Sequence, residues 1–188
     1  MKQSIIFRLF ALALLFAGIL FTSKPIYFYV RLYLSEIILL NQWNEIKKGD
    51  KIKNNFLNLS PIGRIIIPDV NLDTIVLDGS DERILSYGLG KVQNGSKIHE
   101  KRNNIVISGH RDAHFKKLKA INIGDKIILE HLEGESKYAV DNIFLADPDE
   151  TNYIEKNKNN TLTLITCFPF DYIGPAPLRM IVVSRLIL

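Results

Sequence analysis

The chain has 188 residues, 47% of them hydrophobic, enough for one ordinary domain with a short appendage and too few for an array of domains. Its net charge of +4 is unevenly spread: of 24 basic and 20 acidic residues, eight and three lie in residues 1–57, leaving 16 and 17 for the remainder. The basic excess therefore sits at the N-terminal end, where it suits an anionic lipid surface, and the rest of the chain has no basic groove for nucleic acid.

From Leu9 to Ser23 no residue is charged, and Lys2, Arg8 and Lys24 flank the run. With the flanking basic side chains reaching the headgroups, this is close to the lower limit of about 17 residues for a membrane span. A basic start and an apolar core also fit a cleaved signal peptide. LFTSKPIYFYV lacks a small-x-small cleavage site, however, so an uncleaved signal anchor over residues 1–24 is preferred. Basic residues on both sides leave the orientation open.

Between Ile26 and Asn44, Val30, Tyr33, Leu34, Ile37, Leu40 and Trp43 recur near helical spacing, alongside Arg31 and Glu36. Tyrosines and a tryptophan suit a membrane interface, so an interfacial helix is expected, with a helix packed on the folded domain as the alternative. The polar run Asn44–Ser60, containing Gly49, reads as a tether. Together residues 25–59 make an interfacial helix and tether, and 60–188 the folded domain.

Beyond Ser60 the pattern changes to short β-branched runs bounded by Gly, Pro, Asn or Asp: GRIIIP, LDTIVLD, NNIVISG, GDKIILEHL, KYAVDNIFLA, TLTLITC and RMIVVSRL. They predict a mostly antiparallel β domain, and seven or more strands in one domain suggest a closed barrel or a sandwich. Two helical interruptions are expected, one capped by Ser80 over DERILSY and one over HFKKLKAI before Gly124.

Cys167 is the only cysteine, so no internal disulfide can form and a nucleophilic thiol comes forward. The eleven residues FPFDYIGPAPL after it contain three prolines and must form a loop before RMIVVSRL. If the two flanking strands pair antiparallel, Cys167 and Arg179 meet at one rim, roughly 5 Å apart. A guanidinium there is a fixed donor for the charge that develops on a carbonyl under attack. His110, leaving a strand through Gly109 with Asp112 nearby, is the expected acid and base; His99 and His131 lack such company. Asp112 reads equally as a turn residue and is given no catalytic role. His110, Asp112 and His114 could also hold a metal, but no second ligand cluster supports that reading, and it leaves Cys167 and Arg179 unused. Thr166, able to hydrogen-bond at the rim, and Ile165 are the expected substrate-binding residues.

The runs SGHRDAHF, IGDKIILE and TLTLITCFPFDYIGPAPLRMIVV, in this order, resemble a sortase, with the T-L-x-T-C form matched by Thr163-Leu164-Ile165-Thr166-Cys167. GHRDxHF and TC-[FY]-PFD resemble the class found in Gram-negative bacteria. The resemblance covers about Ile62 to the C-terminus. It implies an eight-stranded sortase-type β-barrel with short helices behind an N-terminal membrane-anchor helix, and a His110, Cys167, Arg179 triad. It also implies a single-pass protein of the cytoplasmic membrane with its catalytic domain on the extracytoplasmic side. Its partners would be membrane lipid, a secreted protein with an LPxTG-like C-terminal sorting signal, and an amine acceptor. No cofactor is needed, and no dense carboxylate cluster argues for calcium. The loop Asp147–Asn160 would help wall the peptide groove.

Two other classes stay open. An L,D-transpeptidase-like cell-wall enzyme usually carries its arginine almost directly after the cysteine, whereas FPFDYIG stands here. A membrane-tethered β-barrel peptide-binding module would carry the thiol incidentally. Papain-like proteases have cysteine before histidine, the reverse of this chain.

Overall fold

The computed structural model describes residues 2–49, 58–93, 96–100, 103–156 and 159–187. It forms two compact units, residues 1–34 and 35–188. A single helix, α1 (Lys2–Lys47), covers the segments expected as anchor and as interfacial helix. It ends where Gly49 takes a left-handed φ of 78°, letting its N–H donate back to the carbonyl of Ile46 at 3.0 Å. The expected tether is thus helical up to Lys47, and its residues 50–57 lie outside the described residues.

Over residues 9–21 the helix is apolar all round, and in the first unit Phe7, Leu9, Phe10, Leu14, Phe16 and Phe21 are exposed. The Thr22 hydroxyl donates to the Gly18 carbonyl at 2.8 Å and the Ser23 hydroxyl to that of Leu20 at 2.8 Å. The expected membrane-anchor helix is not supported: among the described residues no helix is long and apolar enough to cross a membrane.

The second unit is a closed barrel in the order β1-β2-β3-β4-β7-β8-β6-β5. Its strands are β1 Pro61–Ile67, β2 Leu72–Asp78, β3 Leu89–Lys91, β4 Asn104–Ser108, β5 Lys126–His131, β6 Gly134–Ala146, β7 Thr161–Phe168 and β8 Leu178–Leu186. Seven arise from the β-branched runs; β3 is a three-residue strand that no such run marks. Two pairings are parallel, β2 with β3 and β4 with β7, and the rest are antiparallel. The β4–β7 pair can be parallel because β5 and β6 are built between them and cross to the far side of the barrel.

Alternate residues fill the interior. Ile65 and Ile67, Ile105 and Ile107, Ile127 and Leu129, Leu162 and Leu164 are all buried in one cluster, completed by Phe115 and Leu118. Phe115 and Leu118 come from a 3-10 helix over His114–Ala120, where the second helical interruption was expected. The first is the short helix α2 (Glu82–Leu85), capped by Asp81 rather than Ser80: the Asp81 carboxylate accepts from the Ile84 N–H at 2.9 Å.

A second core lies outside the barrel, where Leu39 and Trp43 of α1 pack with Leu59, Ile75 and Leu77. Ile75 and Leu77 point away from the interior that Val76 enters, so β2 is buried on both faces and reads as an unbroken apolar run. The Trp43 indole donates to Glu130 at 3.4 Å, and Glu130 also pairs with Lys47 at 3.2 Å. Trp43 is therefore a core residue, not the interfacial one its residue type suggested.

Candidate active site

Three neighbouring strands bring the expected site residues to one rim. In the β7–β8 pair Cys167 stands opposite Arg179. In the parallel β4–β7 pair Ser108 is level with Ile165. The pairing continues past the end of β4: the Gly109 N–H donates to the Ile165 carbonyl at 3.1 Å, and the Thr166 hydroxyl donates to the Gly109 carbonyl at 2.8 Å. His110 is the next residue, two past the end of β4, at the end of the barrel toward which β7 carries Cys167. Cys167 and Arg179 thus face each other on β7 and β8, and His110 follows the end of β4, the other strand paired with β7.

Gly109 is required by packing. A Cβ there would lie 2.4 Å from Cδ2 of Leu89 and 2.8 Å from Cδ2 of Phe115, both buried. Immediately after it the chain turns, the His110 carbonyl accepting from the N–H groups of Ala113 at 3.3 Å and Phe115 at 3.2 Å. The imidazole therefore sits on a backbone fixed from both sides.

The residues assigned to substrate divide between faces. Ile165 is half-buried and shares a face of β7 with Cys167, also half-buried, whereas Thr166 is buried on the other face with its hydroxyl committed to Gly109. On β8 the Arg179 Nη1 donates to the carbonyls of Leu178 at 3.2 Å and Ala176 at 3.4 Å.

The loop between β7 and β8 is strapped to the segment that follows His110. The Arg111 guanidinium donates to the carbonyls of Pro169 at 3.2 Å and Gly174 at 2.8 Å, and lies 5.8 Å from the centre of the Tyr172 ring. Lys119 pairs with Asp171, and that hydrogen bond holds the carboxyl below its ordinary range. Arg111 thus ties two sides of the rim together.

His114 turns away from the rim. Its Nδ1 meets the Thr74 hydroxyl at 3.3 Å, and its Nε2 is buried. Burial holds the imidazole below the ordinary histidine range, opposed by the Tyr87 backbone and reinforced by Lys117 and His110. No group of three or more His, Cys, Asp or Glu arranged to hold a metal occurs among the described residues. A depressed base is protonated more readily in the unfolded chain, so stability is full above about pH 6.5 and falls as pH drops from there toward the lower folded value. Urea denaturation at about pH 8 and about pH 5 should show a steeper loss for the wild type than for His114→Gln; equal slopes would contradict it.

The other two histidines lie at the opposite rim. His99 and His131 each face Glu133, at 3.2 and 3.3 Å, beside the end of β6 remote from the Ala146–Arg179 pair.

Two residues at the β6–β7 connection have no signal in the chain's motifs. Tyr153 lies in the β6–β7 connection with its ring edge-on to Phe144, centroids 6.4 Å apart. Burial raises its phenol above the ordinary range and the Arg179 charge pulls it back. Asn104, at the start of β4, hydrogen-bonds to the carbonyl of Tyr153. An asparagine heading a strand is a poor β-former, and that is the one cue the sequence offered.

A closed eight-stranded barrel whose lone thiol stands opposite an arginine, on a strand paired with the one that leads into His110, defines a protein with a cysteine at the barrel rim. The chain belongs to the sortase family, whose members are cysteine transpeptidases: the sortase domain matches residues 65–187. It is 32% identical over 124 residues to Sortase D of Bacillus subtilis, covering 65% of this chain and 62% of that protein. To Sortase A of Bacillus anthracis it is 34% identical over 110 residues, covering 56% and 51%. The chain thus spans between half and two thirds of the length of these relatives. Among solved structures, a Clostridium perfringens Sortase D5 transpeptidase matches with a TM-score of 0.66 and 25% identity, covering 85% of this chain and 99% of that one. A lid mutant of Sortase A from Corynebacterium diphtheriae matches with a TM-score of 0.63 and 26% identity, covering 69% and 72%.

Proposed function

We propose that this protein is a membrane-anchored cysteine transpeptidase that cleaves an LPxTG-like sorting signal and passes the acyl group to an amine. The observation that carries the reading is the pairing of Cys167 with Arg179 on strands beside the one that leads into His110. Cys167 Sγ attacks the scissile carbonyl while Arg179 donates to the oxygen on which charge develops. The C–N bond breaks as His110 gives its proton to the departing amine, leaving a thioester on Cys167. An incoming amine then loses a proton to His110, its nitrogen attacks the thioester, and the C–S bond breaks to return the thiolate. The substrate is a secreted protein bearing the signal near its C-terminus, and the acceptor is an amine of the cell envelope.

Attachment to the membrane is supported by the uncharged run Leu9–Ser23, whose apolar side chains cover every side of the helix. The hydroxyls of Thr22 and Ser23 are satisfied within the helix, as a lipid environment demands. With the helix in the cytoplasmic membrane, the barrel works on its extracytoplasmic side. Assignment to the class found in Gram-negative bacteria rests on GHRDAHF and TCFPFDYIG alone.

Incubating the full chain with a Leu-Pro-x-Thr-Gly peptide should yield a protein whose intact mass is increased by the acyl fragment, and adding an amine should discharge it as an amide. A chain whose mass never changes with any such peptide would refute the reading.

A further inference from the structure

The β6–β7 connection crosses the outer face of the sheet above a cavity of about 350 Å³, floored by Thr161, Thr163 and Val183 and flanked by Phe144 and Tyr153. One side chain ties it to β4: the Asn104 Nδ2 donates to the carbonyls of Tyr153 at 2.8 Å and Glu155 at 3.1 Å. The Asn104 Oδ1 accepts from the hydroxyls of Thr161 at 3.1 Å and Thr163 at 2.8 Å. Two donors and two lone pairs are the full capacity of an amide, so Asn104 has nothing left to offer a ligand. It is also buried, where such a saturated network is rigid and each lost partner is costly.

This attachment bears on the rim. The Tyr153 ring rests on Phe144, which pairs with Ile181, two residues along β8 from Arg179. We propose that Asn104 is a positioning residue for the transpeptidase site: it pins the Tyr153 segment to β4 and β7 and so sets Tyr153 as the wall of the peptide groove beside Arg179. The groove is part of the function proposed above, and the inference rests on that reading. Asn104 touches no reacting atom and acts through Tyr153.

Asn104→Asp keeps the size and an acceptor for the threonine hydroxyls and removes both N–H donors. In the full chain, amide hydrogen exchange over residues 152–156 should rise about tenfold or more while β7 and β8 keep their protection. With a sorting-signal peptide, KM should rise about tenfold and kcat stay within about threefold. Tyr153→Ala, which leaves the Asn104 bonds in place and cannot unfold the barrel through them, should give the same rise in KM with unchanged exchange. Unaltered exchange in Asn104→Asp, or raised exchange with unaltered KM, would overturn the proposal, as would a wild-type KM in Tyr153→Ala. A wild type that turns over no peptide refutes the transpeptidase reading by itself. The exchange comparison and the rate at which iodoacetamide alkylates Cys167 then decide: an unchanged rate in Asn104→Asp overturns the clamp, and a change of about threefold or more supports it.

Discussion

Replacing Cys167 by alanine is expected to lower sorting-signal cleavage by about 10³-fold or more and to abolish the mass increase on the protein. Alanine offers no lone pair to the carbonyl. The neighbouring groups cannot take over, because a guanidinium is always protonated and the imidazole is assigned to proton transfer. The fold should survive, since Cys167 is only half-buried at the rim and takes no part in the interior cluster. Cleavage followed by chromatography, with a thermal melt of the same sample, checks both halves. Substantial cleavage by a folded Cys167→Ala protein would mean that the thiol is incidental, as in a peptide-binding module.

The largest loss of stability is expected from Trp43→Ala, about 3 to 5 kcal/mol by urea denaturation. Trp43 is wholly buried among Leu39, Leu59, Ile75 and Leu77, and no neighbour can collapse into the space of an indole. The change also removes the donor to Glu130, which would keep Lys47 and the more distant Arg64, at 3.8 Å, as partners. Tyr33→Ala, at a position 66% exposed, should fall within about 0.5 kcal/mol of the wild type. Equal effects at the two positions would mean that α1 does not dock through Trp43.

The contrast between these aromatics shows where sequence reading reaches its limit. Tyr27, Tyr29, Tyr33 and Trp43 look alike as a set, and only the three-dimensional position of Ile75 and Leu77 separates the buried member from the exposed ones. Strands with β-branched runs were legible, because period-two burial leaves its mark in consecutive residues. The opposition of Cys167 and Arg179 was legible for a similar reason: two strands joined by one proline-rich loop have few other ways to pair.

Partners remote in sequence were not legible. The parallel alignment of β4 with β7, on which the place of His110 depends, joins residues 57 positions apart and leaves no local trace. Strand β3, Leu-Gly-Lys, is too short to show alternation, and the cap at Asp81 beside Ser80 was a choice between two good formers. Asn104 was hidden most completely, because its four partners lie 49 to 59 residues away.

Strand β8 slots between β7 and β6, although both are synthesised before it. On a ribosome, the cysteine therefore emerges ahead of the arginine that faces it, and the cylinder stays open until β8 has been made. A chain interrupted before that point would carry a bare sulfhydryl with no guanidinium across from it. Under the proposed mechanism, the facing cysteine and arginine and the closed wall thus arrive in one step.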